Sequence, residues 1–495
     1  MNCTRRADLK KIAILKGACA FPVSVFPGPV RGHHMDLSFL DVIDREADVI
    51  NGVSDYVWDN PETAFTEFKS AAKIMEALKQ EGFAVESGLA GIETAFKGTF
   101  GHGKPVIGVL GEFDALSGLG QESGALTCTP NGQPCGHGCG HNLLGAGALG
   151  AAIGIKSYLE TTGHEGTVIY FGCPGEEGGS GKAFMAREHV FDGVDAALTW
   201  HPSDKTEVRY RMTLANCQVL YRFDGLAAHA GAKPHLGRSA LDAVELMNVG
   251  ANYLREHIIQ EARLHYAITN AGGYSPNVVQ AHAEVLYLIR APRFDQAKEI
   301  YERVNDIANG AALMTGTKSS YDYIKGCSNC VLNSILRDVA WDSMHTIGVP
   351  EPTAEEMKFY EALTKKSLQA YPHDDEHPLH WELKEKPMTI SREYGSTDVG
   401  DVSWNCPTVE IAAAVVPFGA PGHSWAWTTC GKQSYAYKAL AFISKSLALT
   451  GAKLFEDPSL IKAAQVEFKE AIKPTGYICP IPDGVKPRAM TSFLK

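Results

Sequence analysis

At 495 residues, 45% hydrophobic and 21% charged, the chain has the profile of a globular protein long enough for two or three folding units. A net charge of -11, from 57 acidic against 46 basic residues, gives no basic field for a phosphate backbone and argues against nucleic-acid binding. Twelve cysteines are too sparse for a disulfide scaffold, and no apolar run approaches the roughly 20 residues that cross a bilayer. A soluble protein in a reducing compartment is expected.

Residues 1–33 read as a leader. Thr4, Arg5 and Arg6, then Leu9, Lys10 and the mostly apolar stretch 12–26, look like a degenerate twin-arginine export signal. Asp8, where such signals favour an apolar residue, and Lys16 within the apolar stretch argue against it. The cytoplasm is the expected compartment, and the periplasm is the alternative if this segment directs export.

From residue 35 to 81, apolar residues recur at three- and four-residue intervals until Asn60 and Pro61 interrupt them. Two helices are predicted, the second over 65–81. Short apolar runs follow, each ended by a polar or glycine-rich cluster: VIGVL before GEFDAL, TVIYFG before CPGEEGGSG, AALTW before HPSD, and VEIAAAVV before PFGAPGH. Helical stretches such as LLGAGALGAAIGIKSYL and GKAFMAREHVF lie between them. Strand-helix alternation predicts an α/β protein, a mostly parallel sheet sandwiched between helices, with ligands gathered beyond the carboxyl ends of the strands.

Between 214 and 326 the pattern changes to alternating strands, QVLYRFDG and AEVLYLIRAP among them, with two amphipathic helices. This predicts an inserted α+β domain within a first domain formed by 34–213 and 327–495. The helix that repeats Ala297, Ile300, Val304, Ile307 and Ala311 along one face should pack on a sheet. The stretch 333–396, rich in charge and proline around HDDEHPLHWELKEKP, offers no clear periodicity and reads as an irregular insertion.

In GHGCGHN, Cys139 and His141 are one glycine apart, a spacing that lets a thiolate and an imidazole from a tight loop face the same ion. Alone, the same motif fits a structural zinc knuckle equally well. Glu176 and Glu177, in PGEEGGSG, offer adjacent carboxylates that can diverge, one toward a metal and one toward its water. His201 follows the apolar strand AALTW, and His423 lies in FGAPGHSW. Together the set has too many ligands for a closed tetrahedral site and suits two ions sharing bridging groups.

With these motifs the chain resembles the superfamily of dinuclear metallohydrolases that includes aminoacylases, carboxypeptidase G and succinyl-diaminopimelate desuccinylase, in its cysteine-ligand branch. The resemblance covers nearly the whole chain and is carried by GEFDAL, GHGCGHNLLG, CPGEEGGSGK, ALTWHP, AAHA, PHLGRSALDAV, HYAITNAGGYSPNVVQA, AEVLYLIRAP and STDVGDVSW. It implies Cys139, His141, Glu177, His201 and His423 as ligands of two divalent ions, zinc or manganese, with Glu176 as general base.

The same resemblance places Asp114 behind the metal centre, puts Glu112 where other branches carry a ligand histidine, and gives Asn142 no ligand role. It makes the insertion a ferredoxin-like dimerisation or lid domain whose His229 reaches a partner's site to stabilise an oxyanion. Asn277 and Arg290 match positions that grip a substrate carboxylate, for which an arginine fork is well shaped.

The implied activity is hydrolysis of an amide joining an acyl or aryl group to an acidic amino acid, by a homodimer or a heterodimer with a paralogous subunit. The alternatives are an aminoacylase or dipeptidase for another N-acyl amino acid, a noncatalytic partner subunit, and a redox or structural metal protein centred on Cys135 and Cys139.

Overall fold

The structure is a computed structural model and describes residues 35–489 and 492. The leader expected at 1–33 lies outside the described residues. No helix among the described residues is long and apolar enough to cross a membrane.

The larger sheet has eight strands, in the order Ala84–Ser87, Phe96–His102, Gly166–Gly172, Val106–Gly111, Ala196–Ser203, Thr408–Ala414, Lys205–Arg209, His380–Leu383. Its four central strands, from Gly166–Gly172 to Thr408–Ala414, run parallel. Antiparallel pairings flank them on both sides. Each central strand was legible as a short apolar run, because a strand covered on both faces needs no polar alternation.

Successive residues of these strands serve opposite faces. On one face Tyr170 donates from its hydroxyl to the Gly145 carbonyl, and Trp200 from its indole to the Leu144 carbonyl, both on the helix His141–Thr162. That helix is buried nearly all round, as expected of one lodged between a sheet and the helix Ser434–Glu456. On the other face Leu110, Phe171 and Ala197 pack with Phe184 and Met185 of the helix Gly181–Arg187. Each large side chain buried in this way stabilises the fold by about 1.5–3 kcal/mol.

A second sheet has four antiparallel strands in the order Arg263–Asn270, His282–Ala291, Ala215–Asp224, Lys318–Cys327. With the helices Ala240–Leu254 and Phe294–Thr315 it follows the chain order βαββαβ of ferredoxin-like folds. Both helices cover one face, where Val219, Tyr221, Val285 and Tyr287 meet Val244, Met247, Ile300 and Val304. The edge strand Arg263–Asn270 is exposed along most of its length.

Three sequence expectations need correction. The stretch 333–396 is not irregular throughout, since it opens with the helices Ser334–Ile347 and Ala354–Ser367. The first buries Leu336, Val339, Ala340 and Met344 at helical spacing; the second starts on a capping box between Thr353 and Glu356. The second N-terminal helix begins at Phe68 rather than 65, because Phe65 has a left-handed φ of 64° that no α-helix accepts. His201 lies inside its strand rather than after it, since that strand continues to Ser203.

Candidate functional site

The chemically dense loops meet at the carboxyl edge of the four parallel strands. Val106–Gly111 leads into Glu112 and Asp114, Gly166–Gly172 into Glu176 and Glu177, and Ala196–Ser203 carries His201 near its end. His423 arrives on the segment after Thr408–Ala414, held by its backbone N–H on the Gly138 carbonyl at 3.1 Å. Its φ of 57° is a left-handed conformation that a non-glycine residue seldom adopts. Gly140, at φ 75°, turns the chain between Cys139 and His141; a Cβ there would lie 2.9 Å from Pro202, so the turn demands glycine.

Two triads of ligand-type atoms form at this edge, Cys139 with His141 and His201, and Cys139 with Glu177 and His423. Cys139 Sγ lies 3.5 Å from His201 Nε2, and His423 Nε2 lies 3.3 Å from Glu177 Oε2. A third group joins Glu112, His141 and Glu176. All five ligands expected from the sequence therefore converge, with Glu176 beside them.

Two of the histidines have their tautomers fixed from behind. His141 Nδ1 meets Asp114 Oδ1 at 2.9 Å, and this hydrogen bond, working against burial, holds the Asp114 carboxyl below the usual carboxylate range. An ionised carboxylate only accepts, so Nδ1 carries a proton and Nε2 is the nitrogen turned to the cluster. His201 Nδ1 likewise donates to the Pro202 carbonyl at 2.6 Å, leaving Nε2 turned toward Cys139. Burial, aided by the nearby Arg209 cation, keeps the His201 imidazole well below its ordinary value and thus neutral. The other oxygen of Asp114 accepts the Glu177 backbone N–H at 2.9 Å, so one carboxylate braces a member of each triad.

The donor set fits divalent cations. Among the described residues His141 Nε2 and Glu177 Oε1 are buried without a hydrogen bond, Nε2 lying 3.3 Å from Glu112 Oε2, and sulfur, nitrogen and carboxylate oxygen together suit a borderline ion such as zinc. Protons gather where cations would. Hydrogen bonds to Cys139 and Glu177 push His423 up to about 10, and His141 is held well above its ordinary value despite burial, by Asp114 and Cys139. Burial pushes the Glu176 carboxyl well above the carboxylate range, with the Glu112 and Glu177 charges adding to it.

The cluster forms one wall of a cleft of about 280 Å³ that runs on to Arg290, Arg209 and Arg211 and to the loop residues Glu393 and Ser396. Arg290 donates to the Ser396 hydroxyl at 2.7 Å. His229 and Asn277 do not line the cleft. Both are exposed and adjoin one another, Ala230 donating its N–H to the Asn277 carbonyl while the His229 ring accepts from the Gly231 and Ala232 N–H groups.

A family model described as Peptidase family M20/M25/M40 matches residues 108–474, the span that carries every one of these side chains. The chain belongs to that family. Among curated relatives, it is 45% identical to one of the subunits of the p-aminobenzoyl-glutamate hydrolase of Escherichia coli, over 90% of this chain and 97% of the relative. It is 26% identical to the Xaa-Arg dipeptidase of Mus musculus, over 86% and 90% of the two chains. Its fold is shared with the crystal structure of the Bacillus subtilis YXEP protein, titled a dinuclear metal binding peptidase of the M20 family. That match has a TM-score of 0.55 at 16% identity and covers 85% of this chain and 99% of the other.

Several members of this M20 site escape a linear reading. Lys182 is fully buried, with Nζ 2.5 Å from Glu112 Oε1 and 2.6 Å from Asp398 Oδ1, so Glu112 is tied to an ammonium next to the cluster. Its only sequence signal is a lone cation opening the apolar helix GKAFMA. Arg209 and Arg211 stand two residues apart at the end of a short strand, a spacing that shares one side of extended chain. Their partners Glu410 and Glu393 are remote in sequence.

Proposed function

We propose that this M20 chain hydrolyses the amide of an N-acyl amino acid, with p-aminobenzoyl-glutamate, split to p-aminobenzoate and glutamate, as its substrate. The observation that carries the reading is the pair of triads sharing Cys139, with Glu176 beside them in one cleft. In this reading Cys139, His141, Glu177, His201 and His423 hold two divalent ions, zinc or manganese, and Asp114 orients His141 and Glu177 from behind. Bound there, the ions supply Lewis-acid polarisation of the amide carbonyl and a lowered pKa for water.

The protein's own residues then manage the proton and the substrate. Glu176 takes the proton from the attacking water and returns it to the leaving nitrogen, as befits a carboxyl whose burial favours holding a proton between the two steps. Arg290, paired only with a neutral hydroxyl among the described residues, grips a carboxylate of the amino acid.

His229 and Asn277, exposed and clear of their own cleft, serve the cleft of a neighbouring chain, a second copy or a paralogue; the bacterial relative's designation as one subunit of an enzyme supports an assembly. There His229 stabilises the developing oxyanion. Residues 214–326 act as the dimerisation and lid domain in this scheme, and 34–213 with 327–495 as the catalytic domain. The proposed compartment is the cytoplasm, in keeping with ten described cysteines that are all free.

A second reading, a dipeptidase, draws on the likeness to the mouse Xaa-Arg dipeptidase. The two are separated by assaying the purified, zinc- or manganese-loaded chain for p-aminobenzoate release against a panel of dipeptides. Turnover of dipeptides without release of p-aminobenzoate overturns the first reading.

A further inference from the structure

The cleft holds three guanidinium groups, and they differ in what neutralises them. Arg290 has a hydroxyl partner, Ser396, and no carboxylate paired with it among the described residues. Arg209 is paired with Glu410, and both side chains are largely buried, at 12% and 15% exposure. Arg211 Nε reaches Glu393 Oε2 at 2.7 Å, but the Glu393 side chain is 40% exposed. An ion pair open to water contributes little stability, so Glu393 can leave Arg211 for solvent far more easily than Glu410 can leave Arg209.

The backbone brings Arg211 and Arg290 to one place. Residues 391–395 run beside 210–214, with the Ser391 N–H on the Tyr210 carbonyl, the Glu393 N–H on the Met212 carbonyl and the Leu214 N–H on the Gly395 carbonyl. The partners of the two arginines, Glu393 and Ser396, are three residues apart on this segment, which spans at most about 10 Å. Two cations anchored along so short a stretch of one cleft suit a ligand with two carboxylates, such as a small diacid, whose carboxyl carbons lie about 5 Å apart at ordinary bond lengths. The arginine pair is also crowded. Arg209 Nε is buried without a hydrogen-bond partner among the described residues, and Arg211 carries a like charge two residues on.

We infer that Arg211, backed by Arg209, is a second carboxylate subsite that reads the side chain of a dicarboxylic amino acid while Arg290 holds the other carboxylate. Glu393 occupies Arg211 in the free protein, and the substrate's side-chain carboxylate displaces it. One carboxylate replaces another on the same guanidinium, so the exchange leaves no buried charge unpaired. The inference rests on the p-aminobenzoyl-glutamate reading above and names the residue that selects the amino-acid half.

The test uses the full chain loaded with zinc. Binding of L-glutamate, L-glutamine and L-alanine is measured by calorimetry, and kcat and KM are measured on the p-aminobenzoyl conjugates of the same three amino acids. The native protein prefers glutamate to glutamine by about tenfold or more, the worth of one charged hydrogen bond. Arg211→Gln removes that preference through Kd and KM, leaving glutamine and alanine nearly unchanged, and Arg211→Lys restores part of it. Glu393→Gln, at a half-exposed position, acts in the opposite direction and tightens glutamate.

An ion pair with a merely structural role would make the Arg211→Gln and Glu393→Gln variants shift in the same direction, which overturns the inference. Equal loss of glutamate and glutamine binding in the Arg211→Gln variant also overturns it. Cleavage of the three conjugates without preference defeats the subsite and leaves the hydrolase standing. Selective binding of glutamate without cleavage of any conjugate, by the chain alone or mixed with a paralogous subunit, defeats the hydrolase reading and leaves the subsite standing.

Discussion

Asp114 is 1% exposed and spends both oxygens on the cluster, Oδ1 on His141 Nδ1 and Oδ2 on the Glu177 N–H, each at 2.9 Å. Asp114→Asn keeps the shape but replaces one acceptor with a donor, which must then face either an imidazole N–H or a backbone N–H. One charge-assisted hydrogen bond is lost outright, worth about 1.5–3 kcal/mol. If the whole of that falls on the metal-bound form, affinity drops about tenfold to a hundredfold, the range known for groups that orient metal ligands from behind.

Because His141 belongs to one triad and Glu177 to the other, both ions should weaken together. Competition with a chromophoric chelator at fixed pH, counting ions per chain, measures this. An Asp114→Asn protein that keeps native affinity for both ions would refute the bracing role, and one that loses a single ion would show that only one of its hydrogen bonds matters.

Glu176→Ala should retain both ions and lose about 10²- to 10⁴-fold in kcat, and full turnover in that variant would remove Glu176 as the base. His201→Ala and His423→Ala should each release one ion preferentially, since each histidine belongs to one triad only; metal analysis after dialysis distinguishes this from joint loss. Asp401 supplies a pH test away from the metals. Burial pushes its carboxyl up to about 7 from an ordinary 3.8, so its contribution to stability is full below about pH 4 and is lost as pH rises through 7. The loss amounts to about 4 kcal/mol, and Asp401→Asn should stabilise the protein against urea at pH 8 relative to pH 5. An equal shift of the urea midpoint at both pH values would contradict this.

Most side chains of the two triads were legible because they sit next to a strong local signal. Cys139 and His141 share a glycine turn, Glu176 and Glu177 follow a buried strand, and His201 belongs to one. Parallel strands also announce where their ends collect, so the common edge could be anticipated. What stayed hidden depends on pairings between distant segments. Nothing local joins Lys182 to Asp398, or Arg211 to Glu393, and the segment that brings Glu393 and Ser396 into the cleft contains a strand of only two residues. The helix at 354 was obscured for a different reason, since its charged residues outnumber the buried stripe of Tyr360, Leu363 and Thr364. The roles proposed for His229 and Asn277 need a neighbouring chain, which no single sequence displays.

That the four parallel strands draw the side chains of both triads from residues 139 to 423 has a consequence for how the protein is made. Neither triad exists as a local motif, because each needs segments that meet only once the central sheet is complete. Such non-local closure is slow, and an unfolded chain offers the ions little to hold. Metal then acts as a ligand of the native state alone, and its free concentration sets how far folding is pulled to completion. A cell short of the ion would therefore lose the protein itself as well as its turnover, and refolding yield should rise with added metal.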